Sequence, residues 1–497
     1  MKGDADADAD DPRRVDTSRA GDGDSLHSPP MIDRDAVRDN AKYLRNVRPI
    51  DPDEIADYIE GAPHPAVVKQ TLREEAHDLG LFERDDGTFV PANDDPAPFQ
   101  SWSPAAFPDD YSFALEDLLI GRYGANWHVG ESGDRLRERV RQLKEDYYRG
   151  NPVEYDEDAA LGYGIYHLPD YYAAVGYVLS DLAERSLLPR NPRVLDVGAG
   201  TGGPALGLHD YLPDDSVVDY HAVEPSASAD VLDRMLGETR RNFRTTVHRE
   251  TAEAFDPDGD DDVALFASVL SELDDPAAVV RKYLDVLADD GAIVAIAPAD
   301  RNTSIGLREV ERQVAPADGD VTVYSPTLRL WDGYAPSDRG WSFDVKPDLD
   351  VPGFQRRLDE GRDADEDEGT FVNVDVQYSY SVLRTDGERR LDVRGTPARF
   401  AKMAEMERHV TNRIDLLAVK LSHDLSEGNN QVFKIGDGSE AVDHYAVRTR
   451  ETVLNADLAD ADYGDVLVFE NVLALWNDDE EAYNLVVDDE TLVDRVA

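Results

Sequence analysis

The stretch Val194-Leu195-Asp196-Val197-Gly198-Ala199-Gly200-Thr201-Gly202 constrains this chain more than any other. An apolar run ends in an acidic residue, three glycines alternate with small residues, and Pro204-Ala205-Leu206 then opens a helix. A buried parallel strand turns in this way into a helix whose amino end faces a ligand. Glycine is needed there because the backbone takes positive φ and the ligand approaches closely. A dinucleotide fold calls for G-x-G-x-x-G, with the pyrophosphate on the helix N-terminus. Here the spacing is G-x-G-x-G, and Asp196 stands two positions before the first glycine. A carboxylate at that point repels a pyrophosphate, but it can balance a sulfonium or receive an ammonium group.

Asp and Glu number 105 against 51 Lys and Arg, a formal charge of −54. Such acidity ordinarily argues against a nucleic-acid partner. The carboxylates are dispersed along the whole chain and Lys is scarce relative to Arg, so the balance reads as a halophilic adaptation rather than a specialised acidic protein. Net charge then says little about partners, and any RNA contact would rest on local basic spots and stacking. Cysteine is absent. That excludes disulfides, thiolate metal sites, iron–sulfur clusters and methylation of pyrimidine carbon 5 through a thiolate adduct. No metal site is expected. No run of about 18 apolar residues occurs, and the first residues are acidic and polar, so the expectation is a cytoplasmic protein with no membrane partner.

Residues 1–30 are Asp/Gly/Ala-rich without apolar period and are expected to be a disordered acidic tail, with Met31 opening a cleaner sequence. Residues 31–95 read as helix, helix and hairpin: a start at Asp51-Pro52, a second helix from Pro65, then two short strands around Asp86-Gly87. This is a winged-helix-like outline or a plain helical cap. Lys69 and Arg73 lie on its second helix among carboxylates, a poor match for duplex phosphate. Residues 96–190 are expected to be mostly helical. Arg135, Arg137, Arg139, Arg141 and Lys144 form a local basic run, either an RNA contact or a solvated face balancing its own glutamates. A further helix is expected to start at Leu168-Pro169 and to run to Arg185.

From Arg193 strands alternate with helical segments, which specifies an α/β core with a parallel sheet over residues 191–320. Residues 321–412 read as an irregular aromatic insert followed by a charged linker at 359–369. Residues 413–497 hold five β-like runs and fit an OB-like barrel or a generic small β domain.

Ligands of open α/β sheets bind beyond the carboxyl ends of the strands. Asp196, Gly198, Ala199, Gly200 and Gly202 are therefore candidate binding residues, with Asp196 and the loop facing a positively charged end of the ligand. Glu224, in Val223-Glu224-Pro225, lies 22 residues beyond Gly202 and can accept both hydroxyls of a ribose. Glu253, after the third strand, falls where a base would lie. Ser268-Val269-Leu270-Ser271-Glu272 follows the fourth strand, where an acceptor is presented. It lacks the Asn/Asp-Pro-Pro-Tyr/Phe tetrapeptide that grips exocyclic amines, and its Ser and Glu can equally be a helix cap. No general base is assigned.

The glycine loop resembles the first motif of Rossmann-like S-adenosylmethionine methyltransferases. Leu168-Pro169-x-Tyr171-x-Ala173, Leu195-Asp196-x-Gly198-x-Gly200, Glu224-Pro225-Ser226, Leu270-Ser271-Glu272-Leu273, Trp341-x-Phe343 and Tyr463-Gly464-Asp465 together resemble the methyltransferase-like family of the mitochondrial small ribosomal subunit, protein twenty-two, in its prokaryotic branch. The resemblance covers about residues 160–475 and implies S-adenosylmethionine as cofactor, held by Asp196, Gly198, Ala199, Gly200, Gly202, Glu224, Pro225, Glu253 and Ser268. It also implies a partner in small-subunit ribosomal RNA, during assembly or translation. The cysteine cluster usual in that family between the last sheet strands and the terminal domain is missing here. A non-catalytic assembly factor that keeps the pocket, and a small-molecule methyltransferase, are the alternatives.

Overall fold

The amino-terminal module is built from short elements punctuated by proline. Helices α1 (Arg34–Leu44), α2 (Pro52–Tyr58) and α3 (Pro65–Glu74) begin after Asp33, Asp51 and His64, whose side chains accept free N–H groups of the first turns. Strands β1 (Leu81–Glu83) and β2 (Phe89–Pro91) pair antiparallel, and Ile50 bridges to Phe89, which gives the winged-helix-like outline. The cations of α3 do not face outward. Lys69 and Arg73 hold Glu83 at 3.2 and 2.7 Å. Burial would raise the Glu83 carboxyl, but its hydrogen bonds to Arg73 and Lys69 keep it below the usual range. Asn242 then exchanges two hydrogen bonds with the Glu83 backbone, docking the module onto the core.

The computed structural model describes residues 32–149, 151, 153–257, 259–337 and 341–496. The acidic tail expected over residues 1–30 lies outside them. Helices α4 (Asp109–Tyr123), α5 (Gly130–Arg149) and α6 (Glu157–Glu184) follow the module. The helix expected to start at Leu168 starts instead at Glu157, capped by Asp156, and carries Pro169 in its interior. Proline there cannot donate to the carbonyl four residues back. Gln355 supplies the missing donor, its Nε2 lying 2.8 Å from the Ile165 carbonyl oxygen, and Asn373 Nδ2 donates to Tyr166 at 3.1 Å. Tertiary partners thus repair the break that sequence alone reads as a helix start.

The basic run on α5 is consumed by ion pairs within the chain. Arg137 is buried and pairs with Asp134, Arg139 pairs with Asp156, and Arg141 reaches Glu366 at 2.7 Å. Arg135 faces Asp158, and Lys144 donates to the Thr370 carbonyl. These contacts dock α5 onto residues 359–370, so that segment is a packed element rather than a linker.

The central sheet comprises β3 (Arg193–Val197), β4 (Val218–Val223), β5 (Phe243–His248), β6 (Asp261–Ala267), β7 (Leu287–Pro298), β8 (Thr322–Ser325), β9 (Asp344–Lys346) and β10 (Val376–Arg384). Its order is β5-β4-β3-β6-β7-β10-β8, with β9 paired to β10. The first five strands are parallel, and β10 runs antiparallel between β7 and β8. Helices α7 (Gly203–Tyr211), α8 (Ser228–Leu236), α9 (Pro276–Leu284), α10 (Arg301–Val314) and α11 (Gly353–Glu360) complete this part. Strand order reverses at β3, which places the crevice at its carboxyl end. The boundary expected at residue 320 is corrected: β8, β9 and β10 belong to the sheet although they lie in the expected insert. The aromatic residues between them are clamps. Trp331 Nε1 donates to Asp437 at 2.7 Å, and the Ser342 and Tyr463 hydroxyls meet at 3.0 Å, joining sheet to barrel.

The terminal domain consists of β11 (Arg413–Lys420), β12 (Gln431–Gly436), β13 (His444–Arg448), the short α12 (Asp457–Asp460), β14 (Val466–Asn477), β15 (Ala482–Val487) and β16 (Leu492–Arg495). Five strands close in the order β11-β12-β13-β15-β14-β11, with β13 and β15 parallel and a helix between β13 and β14. This is an OB-like barrel, the more specific of the two alternatives.

Replacing Gln355 by Leu leaves the Ile165 carbonyl buried without its donor. The expected loss is about 1–3 kcal/mol, measured by denaturant unfolding.

Candidate functional site

At the carboxyl end of β3 the loop takes left-handed geometry at Gly198 (φ 70°) and Gly200 (φ 55°). A side chain at Gly198 would put its Cβ 2.4 Å from Val269 Cγ2, so that position admits glycine alone. The end of β4 holds the loop in place. Glu224 Oε2 accepts the Gly200 N–H at 2.9 Å, and Oε1 accepts the Ser226 N–H and hydroxyl at 2.9 and 2.5 Å. Three of the roughly four lone-pair positions are thus used, so the carboxylate is rigidly aimed and one remains for a ligand hydroxyl.

Around this loop lies a cavity of about 510 Å³, within the usual range for small-molecule sites. Of the expected residues, Gly198, Gly200, Glu224, Pro225, Glu253 and Ser268 line it. Ala199 and Gly202 do not. Gly202 caps α7 behind the loop, and Ala199 is buried.

Asp196 requires a correction. It does not line the cavity: it is fully buried beneath it and accepts the Tyr220 hydroxyl. Burial pushes its carboxyl up to about 7, against the Tyr220 hydrogen bond and with help from Glu224. It forms no part of the cavity wall, and its Oδ1 is buried without a hydrogen-bond partner among the described residues. The cavity nevertheless has the electrostatic character expected of Asp196, supplied by other residues. Glu154, Glu224, Glu253 and Glu272 line it, and no Lys or Arg does among the described residues. Such a site suits a positively charged ligand and is hostile to a pyrophosphate.

Sequence reasoning missed the aromatic wall. Tyr155 and Tyr163 line the cavity from the start of α6, their rings edge-to-face at 5.5 Å. Behind Tyr163, His167 stacks on Tyr171 with centroids 5.1 Å apart. The signal was present as Tyr163, His167 and Tyr171 at helical spacing. It was hidden by reading the helix from Leu168. Among the described residues no group of His, Asp and Glu is arranged to hold a metal.

A second cavity, of about 800 Å³, adjoins the first at the carboxyl ends of β6 and β7. Val153, Ser268, Glu272 and Leu273 belong to the walls of both. Ser268 sits at their junction with φ 63°, a strained geometry for a non-glycine residue.

Residues 195–293 match a family model described as a methyltransferase domain. Residues 34–85 and 404–496 match the N-terminal and C-terminal domain models of one family described as a domain of unknown function (DUF8157). The chain has no match among curated proteins. Among solved structures, it is 26% identical to the YcgJ protein of Bacillus subtilis over 22% of this chain and 45% of that one, with a TM-score of 0.19. The sugar N-methyltransferase KedS8 of a Streptoalloteichus species is 26% identical over 25% of this chain and 47% of its own, with a TM-score of 0.20. The plantazolicin methyltransferase BpumL in complex with SAH is 11% identical over 56% of this chain and 99% of its own, at 0.28. The chain thus spans less than half the length of the first two. The fold is a Rossmann-like methyltransferase core with an OB-like terminal barrel. The family match and the cation-accepting pocket indicate S-adenosylmethionine as its cofactor.

Two predictions follow from this geometry. Gly198→Ala should weaken S-adenosylmethionine binding more than tenfold, roughly, because a clash adds to left-handed strain. Gly200→Ala, whose Cβ would meet nothing closer than 3.8 Å, bears the left-handed strain without a clash and should weaken binding less than tenfold, roughly. Calorimetric titration separates the two. For Asp196 the folded pKa lies above the unfolded one, so its contribution to stability is full below about pH 4 and is lost as pH rises to about 7. Asp196→Asn should remove that fall, measured as the difference between variant and wild-type unfolding free energies across this window.

Proposed function

We propose that this protein transfers a methyl group from S-adenosylmethionine to an acceptor seated in the second cavity. The observation that carries the reading is the pair of adjoining cavities, one with a glycine floor and a ribose-ready Glu224, separated from the other by Ser268 and Glu272. When bound, the cofactor supplies a methyl on a positively charged sulfur. The chain supplies positioning. Glu224 and the loop fix the nucleoside, and the walls of Tyr155 and Tyr163 exclude water.

A second reading keeps small-subunit ribosomal RNA as partner, with or without methyl transfer. It is favoured by the OB-like barrel and by a cleft in which Arg389 lies beside the half-exposed Tyr334 ring, Arg329 and Arg394 there being paired with Glu311 and Asp332. A cation beside an aromatic face suits a single strand. The basic run on α5 no longer supports this reading, since its charges are paired internally.

Calorimetry at the salt that keeps the chain folded tests the first reading. Wild type should bind S-adenosylmethionine, and Glu224→Ala should lose roughly tenfold or more, as expected for a hydrogen bond to a charged group. Absence of binding by folded wild type defeats the reading. Sedimentation of wild type, but not of an Arg389→Ala/Arg394→Ala variant, with immature small subunits would support the RNA partner.

A further inference from the structure

The second cavity has charged walls of one sign. Glu272, Asp274, Asp275, Asp300 and Glu309 line it, with no Lys or Arg among the described residues. Acidity alone means little in a chain of charge −54, so the molecule's other clefts are the useful comparison. One holds Arg329, Arg389 and Arg394, and another holds Lys346, Arg390 and Arg495. In those clefts cations stand paired with carboxylates, Arg394 with Asp332 and Lys346 with Asp344, whereas among the described residues no Lys or Arg lines this cavity.

Two of the five carboxylates are held as helix caps. Asp275 caps α9, and Asp300 caps α10 while accepting the Tyr147 hydroxyl at 2.5 Å. Glu272, Asp274 and Glu309 have no basic partner among the described residues. Glu272 is distinguished by its place in the wall common to both cavities. Its Oε1 accepts the Tyr155 hydroxyl at 3.1 Å, and the Tyr155 ring is braced edge-on by Tyr163. One carboxylate oxygen is oriented by the protein, and the other is left for a ligand.

We propose that the second cavity binds an acceptor bearing a primary or secondary aliphatic amine, and that Glu272 is the catalytic base that takes its proton. This rests on the reading of the first cavity as the S-adenosylmethionine site. The acceptor arrives as an ammonium, which the carboxylate walls favour over neutral or anionic groups. Glu272 receives one proton and becomes a carboxylic acid, leaving the nitrogen with a free lone pair. The nitrogen forms its bond to the methyl carbon as the carbon–sulfur bond breaks, and that electron pair stays on sulfur. The products are a methylated ammonium and a neutral thioether, and the Glu272 proton leaves to solvent. The groups that face Glu272 are Tyr155, Tyr163, Tyr171 and Glu224, none of them cationic. Glu272 stands exposed on the cleft wall, where crowding by the protein and the nearby Glu224 push its carboxyl up, opposed by the Tyr155 hydrogen bond. A raised carboxyl that solvent still reaches can take a proton from the acceptor and pass it on.

The test uses the full chain, with putrescine and tyramine as probes and 1,4-butanediol and tyrosol as matched alcohols. Titrated into cofactor-free protein, the amines should bind roughly tenfold more tightly than their alcohols, and Glu272→Gln should erase that preference. A far-UV circular dichroism spectrum and an unfolding transition like those of wild type should show that the same variant is folded. Methyl transfer from labelled cofactor to the amines should fall roughly 100-fold or more in Glu272→Gln, with partial return in Glu272→Asp. In wild type kcat/KM should rise through about pH 7, where Glu272 ionises, and Glu272→Gln should lose that limb. If wild type binds the cofactor yet prefers no amine, or if Glu272→Gln keeps both rate and pH limb, the proposal is overturned and the cofactor reading stands. If wild type binds no cofactor, the broader reading fails instead.

Discussion

The hydrogen bond from the Gly200 N–H to Glu224 is the contact on which the site depends. It joins the loop after β3 to the end of β4, two strands whose registers are already set by parallel pairing. The loop can donate that bond only because Gly198 and Gly200 both turn left-handed, which points successive N–H groups toward one side. With the loop held there, α7 begins directly behind it, the cavity floor is bare backbone, and Val269 from the next strand end packs against Gly198. Ser226 then secures the other carboxylate oxygen, so Glu224 orders the loop and presents itself to the ligand at once.

A chain this acidic must decide where its few cations go, and here many are spent inside. Arg308 and Glu311 form a buried pair beneath the sheet, with Arg329 on the second oxygen and Ser381 closing the set. Arg390 reaches Asp181 at 2.8 Å, and Tyr380 donates to the same carboxylate. Ion pairs of this kind add little net stability over an apolar core, but a missing partner is costly, so they fix which surfaces can meet. They tie α6, α10, β10 and the segment before the barrel into one orientation. The two adjoining cavities are lined by carboxylates, with no Lys or Arg among the described residues.

Much of the architecture was legible because it is local. Helix starts at Asp51-Pro52 and Pro65, the alternation of strands and helices after Arg193, and five β runs after Arg413 all follow from spacing and capping. What was not legible depended on distant partners. Pro169 signals a helix start until Gln355 and Asn373, nearly 200 residues away, are seen to satisfy the carbonyls it frees. β10 reads as part of an irregular insert because its partners, β7 and β8, precede it by long connections. The run of arginines on α5 reads as a basic patch because its acidic partners at Asp156 and Glu366 lie elsewhere in sequence.

The sequence by itself determined that a glycine loop ends a buried strand and that Glu224 stands at the end of the next one. Short-range steric and electrostatic rules are enough for that. Only the tertiary structure decided which carboxylates do the work. Asp196 looked outward by position, yet the pleat turns it into the core against Tyr220, because successive side chains of a strand face opposite ways. Glu272 looked like a helix cap, yet the convergence of β6, α10 and the start of α6 sets it between two cavities. Direction of a side chain is a property of packing, and that is where the site was made.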